Sequence, residues 1–364
     1  MIKIAHPIIG REEEQAVLDV LRSGVIIQGE KVEEFENKFA EYCNTKYAIA
    51  TSSGTAALHT GLMAMGIKEG DEVITTSFSF IATANSILYV NAKPVFADID
   101  EKTFNISPDS ILEKITRRTR AILPVHLFGQ PADMQAIKEI ADDHHLYILE
   151  DACQAHGAKY ANKKVGSIGN TAAFSFYPTK NITTSEGGMI TTNDKGIAKR
   201  ARIFRNHGQT KRYYHEFFGY NFRMTDIEAA MGIKQLEKLD TFNNRRITNA
   251  RYLTEKLKNV KEIEPPYVMR NVKHVFHQYT IKLENGQRDR VSRKLNNAGI
   301  GTGIYYPTPI NEQPFYKKLG YSAKETPIAK DISRKVLSLP IHPLITKEDL
   351  DHISRKLRKL VYKF

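Results

Sequence analysis

Seven short runs of β-branched and apolar residues, each closed by turn formers, punctuate the first two-thirds of this chain: 46–53 (KYAIATSS), 71–77 (DEVITTS), 93–100 (KPVFADID), 120–129 (RAILPVHLFG), 146–152 (LYILEDA), 171–178 (TAAFSFYP) and 188–194 (GMITTND). Between several of them the apolar spacing changes to i, i+3, i+4, as in 13–24 (EEQAVLDVLRSG), 31–42 (KVEEFENKFAEY) and 131–145 (PADMQAIKEIADDHH). Strands alternating with helices require crossover connections, so the fold class predicted is α/β, with a mostly parallel central sheet covered by helices on both faces. After about residue 195 the texture becomes helical and basic. Thr225 and Glu228 make a capping box that opens a helix over 225–240, and 248–259 follows almost without a break. A strand candidate at 276–283, a helix at 288–299 and a terminal helix from Thr346 complete a smaller α+β domain. The boundary is placed near 240: a large α/β domain over 1–240, whose N-terminal segment is free to pack on the small one, and a small domain over 241–364.

A chain of 364 residues, 41% hydrophobic and 26% charged, has material for roughly two domains with buried cores. Its two cysteines, Cys43 and Cys153, cannot build a disulfide framework, and no C-x-x-C suggests a metal or redox site. The opening MIKIAHPIIGREEEQ meets acids too early for a signal peptide, and no run approaches the ~20 apolar residues that span a bilayer. A cytoplasmic protein with no membrane partner and no metal is expected. Residues 1–190 carry 18 basic against 24 acidic residues, and 191–364 carry 35 against 17. Most of the basic excess has helix-like spacing beside apolar residues, as in 353–363 (ISRKLRKLVYK), and reads as solvated helix faces, with a phosphate-bearing small molecule left open as a partner.

In an open parallel sheet, ligands sit beyond the carboxyl ends of the strands. Four such places hold unusual residues. Ser52–Leu58 (SSGTAAL) reads as a phosphate cradle at a helix N-terminus or as an ordinary strand-to-helix turn. Asp151, in 149–158 (LEDACQAHGA), needs a cation or strong donor if buried, a protonated ring nitrogen being one, but could equally be a helix cap. In 174–189 (FSFYPTKNITTSEGGM), Ser175 and Lys180 lie in or beyond a strand, amid small and Gly-rich neighbours where desolvation would free an amine nucleophile. Phe80, after the strand 71–77, stacks on a flat ligand or, more commonly for such a residue, joins the core. A phosphate cradle, an acid for a ring nitrogen, a Schiff-base lysine and an aromatic lid form the set that pyridoxal phosphate requires.

The ordered motifs 23–40 (SGVIIQGEKVEEFENKFA), SSGTAAL, SFSFIATAN, DIDEKTFNI, PVHLFGQPADM, EDACQAHGA, FSFYPTKNITTSEGG, RNHG, GYNFRMTDIEAAMG and AGIGTGIYYPTP span nearly the whole chain. Together they resemble the DegT/DnrJ/EryC1/StrS family of pyridoxal-phosphate-dependent sugar aminotransferases, of fold type I. The resemblance implies that 1–240 is the cofactor-binding domain, that Lys180 is the Schiff-base lysine and that Asp151 faces the pyridine nitrogen. It puts Gln154 beside the 3-hydroxyl, Phe80 over the ring, and Gly54, Thr55 and Ser175 at the phosphate. Asn221 matches a residue lent to the phosphate of the neighbouring subunit, which implies an obligate homodimer with shared active sites. The implied reaction moves an amino group from a donor, usually glutamate, to a nucleotide-diphosphate keto-sugar, Lys180 shuttling the proton. The segment PTKNITTSEGG sides with amination at sugar C4 of a 4-keto-6-deoxyhexose rather than at C3, with Ser185 standing where the C4 pattern has Gly. A keto-cyclitol acceptor is the enzymatic alternative. A pyridoxal-phosphate-binding regulator is the alternative of another class, which a DNA-binding module beyond the catalytic fold would reveal; none is found, and no nucleic-acid partner is expected. Lys180 argues against relatives that lost this lysine and became dehydratases.

Overall fold

The computed structural model describes residues 1–283 and 286–361. Strands β1 (Tyr47–Thr51), β2 (Glu72–Thr76), β3 (Lys93–Ala97), β4 (Thr119–Leu123), β5 (Tyr147–Asp151), β6 (Thr171–Ser175) and β7 (Gly188–Thr192) form one sheet in the order β1-β7-β6-β5-β4-β2-β3. All are parallel except β7, which runs antiparallel to β1 and β6. Helices α1 (Arg11–Ser23), α2 (Glu30–Cys43), α3 (Gly54–Met65), α4 (Ala82–Tyr89), α5 (Pro108–Lys114), α6 (Met134–Asp143) and α7 (Lys195–Arg205) precede the long α8 (Asp226–Leu257).

β2, β6 and β7 are buried at every residue, which is why they read as continuous rather than alternating runs. On one face α2 presses Phe35 and Phe39 onto Phe174 and Phe176, with ring centroids 5.0 Å apart for Phe39–Phe174 and 5.2 Å for Phe35–Phe176. Rings buried in this way contribute about 3–5 kcal/mol each, judged by truncation. α8 closes that layer at Gly232, where a Cβ would stand 2.7 Å from the Phe35 ring. On the opposite face α3 packs Leu58 and Leu62 against Ile49, Leu149 and Ile190. With crossovers on both faces, the carboxyl ends of β1, β2, β5 and β6 converge at one edge, and the cavity lies there.

The C-terminal part holds β8 (Ile263–Glu264), β9 (Tyr279–Leu283) and β10 (Val336–Leu339) as an antiparallel sheet, with α9 (Arg288–Asn297), α10 (Pro314–Lys318), α11 (Pro327–Ser333) and α12 (Lys347–Val361). Its core gathers Leu253, Leu257, Ile281, Leu337 and Leu357. The N-terminus joins it: Ile2 N donates to Gly299 O (2.8 Å) and Ile2 O accepts from Gly301 N (2.8 Å). Residues 310–321 return to cover the edge strand β3, Tyr316 and Tyr321 packing on Phe96 and Tyr321 Oη donating to Pro94 O (2.7 Å), which removes an exposed edge. Asp98 caps α11 by accepting from Ile328 N and Ala329 N.

Three places differ from the sequence reading. The helices expected over 225–240 and 248–259 are one helix; it opens on the Thr225–Glu228 capping box, its first half lies in the α2 core and its second in the C-terminal core, so residue 240 sits mid-helix. The run 120–129 stops being a strand at Leu123, because Pro124 has no N–H and Phe128 turns into the left-handed region at φ +57°. The run 276–283 pairs only from Tyr279, because Phe276 is left-handed (φ +46°) and 275–278 bend onto Gly129, where a Cβ would meet His277 N at 2.8 Å. The last two residues of the expected helix at 353–363 lie outside the described residues.

Candidate active site

The strand ends and the returning C-terminal segments enclose a cavity of about 700 Å³. β1 runs into Ser53, whose hydroxyl accepts from Ala56 N (3.1 Å) and caps α3, leaving the first N–H groups of that helix at the cavity wall. Gly54 is needed there, since a Cβ would stand 2.6 Å from Ser175 Cβ and 3.0 Å from Cys153 Sγ. Thr55 and Ser175 bring hydroxyls to the same wall, and together these groups fit a phosphate.

Asp151 ends β5 and is only 4% exposed. Its Oδ2 accepts from Thr83 Oγ1 (2.8 Å), itself 2.9 Å from Ser79 Oγ, and its Oδ1 accepts from Cys153 N (3.2 Å). No cationic side chain hydrogen-bonds it or forms an ion pair with it among the described residues, so the buried carboxyl group faces the cavity with room for a ligand's donor. That is the environment a protonated ring nitrogen fits. The adjacent acid, Glu150, points to the other side of the strand and serves the fold. Burial pushes its pKa up, but His126 Nε2 at 2.9 Å and the backbone N–H groups of Gly166, Ile168 and Gly169 outweigh that and hold it low.

Lys180 lies beyond β6 in a tight turn, its backbone N donating to Tyr177 O (2.8 Å). Its amine lines the cavity without a hydrogen bond or ion pair among the described residues. Burial pushes the amine's pKa down, and the opposing pull of Cys153 and Asp151 does not restore it. The Cys153 thiol is itself pushed well up by burial beside Asp151. Gln154 is anchored at both ends, Oε1 accepting from Phe128 N (2.9 Å) and Nε2 donating to Tyr306 Oη (3.2 Å). Phe80 is 56% exposed on the cavity rim while Phe78 is fully buried. Of the two alternatives weighed for Phe80 the core is excluded, since Phe78 fills that place, and Phe80 stands on the rim.

The cavity thus unites Gly54, Thr55, Phe80, Asp151, Gln154, Ser175 and Lys180. Asn221 stands apart from it, exposed at the base of the 209–215 hairpin and bridged to Asn206. Ser185 adopts φ +74°, the conformation Gly takes without cost, in the turn that brings Glu186 to the rim. The sequence reading missed the opposite wall: Phe128, His277, Gln278, Tyr305 and Tyr306. Of these, Phe128 lies in the PVHLFGQPADM motif and Tyr305 and Tyr306 in AGIGTGIYYPTP, whereas His277 and Gln278 fall in no quoted motif.

A family model described as the DegT/DnrJ/EryC1/StrS aminotransferase family matches residues 7–358. The chain belongs to this family. It is 40% identical over 368 residues to GDP-perosamine synthase of Caulobacter vibrioides, covering 99% of this chain and 98% of that protein. It is 40% identical over 353 residues to dTDP-3-amino-3,6-dideoxy-alpha-D-galactopyranose transaminase of Aneurinibacillus thermoaerophilus, covering 97% and 96%. The PLP form of Spr1654 from Streptococcus pneumoniae superposes with a TM-score of 0.95 at 28% identity, covering 100% of this chain and 99% of that one. The DegT/DnrJ/EryC1/StrS member described here is an aminotransferase of α/β fold, and its cofactor is pyridoxal 5'-phosphate. No helix among the described residues is long and apolar enough to cross a membrane, and no cluster of metal-ligating side chains occurs among them.

Proposed function

We propose that this aminotransferase moves an amino group from glutamate to a nucleotide-linked 4-keto-6-deoxyhexose, in a cavity shared between two copies of the chain. The observation that carries the reading is the unpartnered Lys180 amine in one cavity with the buried, unpaired Asp151. Bound pyridoxal phosphate supplies the electron sink for the bond broken at the donor's α-carbon. Asp151 would hold the ring nitrogen protonated, and Thr83 keeps that carboxylate oriented. Phe80, exposed on the rim, would shield the ring from water, and Gln154, fixed at both ends, would offer it a rigid polar contact. The Nζ of Lys180, its pKa lowered by burial, would move a proton from the donor's α-carbon to the cofactor in the first half-reaction and from the cofactor to the acceptor carbon in the second.

Charge supports the second copy. Lys180 is the one cationic side chain among the described residues lining the cavity, where Asp151 and Glu186 are acids. A cofactor phosphate, a glutamate and a diphosphate are all anionic, so further positive charge has to come from outside. Asn221 lies beside Arg223, and the hairpin next to it carries Lys211 and Arg212 under exposed Tyr213 and Phe218, a surface suited to reaching a neighbour's cavity. The nucleotide-sugar class is supported by the names of the relatives, one of which acts on a 3-amino sugar, and the choice of C4 follows the TTSEGG reading.

The test is a visible absorbance scan of the purified protein with glutamate and then a nucleotide 4-keto-6-deoxyhexose. The cofactor band should shift with glutamate and return with the sugar. Return with a 3-keto sugar or an inosose alone would move the acceptor; a protein that never takes up the cofactor would overturn the reading.

A further inference from the structure

Lys180 stands in a turn, and the residue after it is held more tightly than any turn requires. Asn181 is 4% exposed. Its Nδ2 donates to Asn243 Oδ1 (2.7 Å) on α8 and lies 3.4 Å from Val275 O, and its Oδ1 sits 3.3 Å from His277 Nδ1. Asn243 in turn donates from Nδ2 to His156 O (2.8 Å), in the segment that carries Asp151 and Gln154. One turn along α8, Arg246 donates to His277 O (3.3 Å). Four chain segments therefore meet behind the lysine.

The network dictates the histidine's tautomer. Asn181 spends its amide nitrogen on two acceptors, so its oxygen must accept, and His277 Nδ1 must carry the proton. Nε2 is then a lone pair, consistent with its neighbour, the amide nitrogen of Gln278 at 3.5 Å. The charged and titratable groups around the ring are Lys180, Arg246, His156 and His274, all cationic or cation-forming, and with burial they push His277 well below the ordinary histidine pKa.

We infer that His277, with a proton on Nδ1, is a positioning residue that fixes Lys180 through Asn181 and ties the lysine to the C-terminal part of the chain. The inference rests on the assignment of Lys180 made above. Because His277 and Gln278 also line the cavity's far wall, the element that closes the substrate side is the one that holds the reactive amine in register.

The first measurement is the nitrogen-15 spectrum of imidazole-labelled holoenzyme: His277 should carry its proton on Nδ1, and a proton on Nε2 overturns the inference. The second uses three variants. In His277→Asn the amide nitrogen occupies the Nδ1 position; in His277→Gln it reaches only the Nε2 position; His277→Phe has neither. With the amine freed by glutamate, the pH dependence of Lys180 acetylation, read by peptide mass spectrometry, should stay as in the parent for Asn and rise toward an ordinary lysine for Gln and Phe. Recapture of the cofactor should slow roughly ten- to hundredfold in those two. A role confined to stability would lower the melting temperature and leave the Lys180 profile unmoved in all three, which also overturns the inference. Should Gln or Phe not fold, the tautomer decides alone. Failure of the lysine assignment is visible separately, as cofactor fixed by borohydride on a residue other than Lys180.

Discussion

On one side of the cavity Asp151, Ser175 and Lys180 stand at or just beyond the ends of β5 and β6; on the other His277, Gln278, Tyr305 and Tyr306 arrive from segments without regular structure. The first wall is anchored by a ladder, whose register sets Asp151 and Ser175 and from which the turn carrying Lys180 departs. The second is positioned by side-chain bonds and by a left-handed turn at Phe276 set against Gly129. The two should therefore fail differently: the first by losing chemistry while the fold stays, the second by losing alignment or stability.

Lys180→Ala is the largest test. It removes the group that moves the proton, and turnover should fall by on the order of 10⁴-fold. The melting temperature should stay, because the amine supports nothing else in the fold. Steady-state kinetics with borohydride trapping checks both halves. Retained turnover would break the comparison at its strongest point.

The next effect acts through the second wall. His274 Nδ1 accepts from Phe276 N (2.9 Å) and its ring stacks on Phe276 at 3.9 Å, so it holds the turn only while neutral. Burial pushes its pKa down to about 3, and that of His156, beneath the strand ends, also to about 3, with nearby Lys180 adding to the burial effect at His156. Both folded values lie below the unfolded value near 6.5. Their contribution to stability is thus fully present above about pH 6.5 and is lost as pH falls from there toward 3. Between pH 7.5 and 5 each should cost about 2 kcal/mol, roughly 4 for the pair. Denaturant melts across that range measure it, and His274→Asn, whose oxygen can still accept from Phe276 N without titrating, should flatten the slope by one proton.

Asp151→Asn returns to the first wall. The neutral amide can keep the bond from Thr83 but cannot hold a ring proton, so turnover should fall by about a hundredfold with cofactor still bound. Parent-like turnover would make Asp151 a structural residue.

These contrasts follow what a linear sequence carries. Strand-end residues were legible because period and turn chemistry mark where a strand stops: Asp151 after YILE, Lys180 after FSFYPT and the Ser-Gly-Thr after YAIAT all fall beyond a recognisable run. The alternating sheet was legible for the same reason. His277 was not, since 276–283 reads as one strand and the bend that turns His277 inward is imposed by Gly129, nearly 150 residues away. Nor was the unbroken α8, where the sequence suggested two helices and the packing of each half into a different core joins them. Phe80 and Phe78 show the limit at one residue's resolution: two aromatics two apart, one filling the core and the other open to the cavity.

The smallest effect expected is at the contact where the two walls meet. Tyr306 Oη accepts from Gln154 Nε2 (3.2 Å), and the Tyr306 ring stands edge-on to buried Phe78 at 6.3 Å and 6.4 Å from Phe80. Tyr306→Phe keeps the ring and deletes one neutral hydrogen bond, worth about 1 kcal/mol. Gln154 would stay on its bond from Phe128 N and regain a partner from water or cofactor, so the fold should hold. What should change is alignment across the cavity: cofactor affinity and turnover each lower by roughly three- to tenfold, with the pH dependence of Lys180 unmoved. If the variant instead matches His277→Phe in shifting the Lys180 profile, the two walls are one mechanical unit and the contrast drawn between them dissolves. If it changes neither affinity nor turnover, Gln154 is set by the strand-end wall alone, and the C-terminal segments act on the lysine but not on the ring.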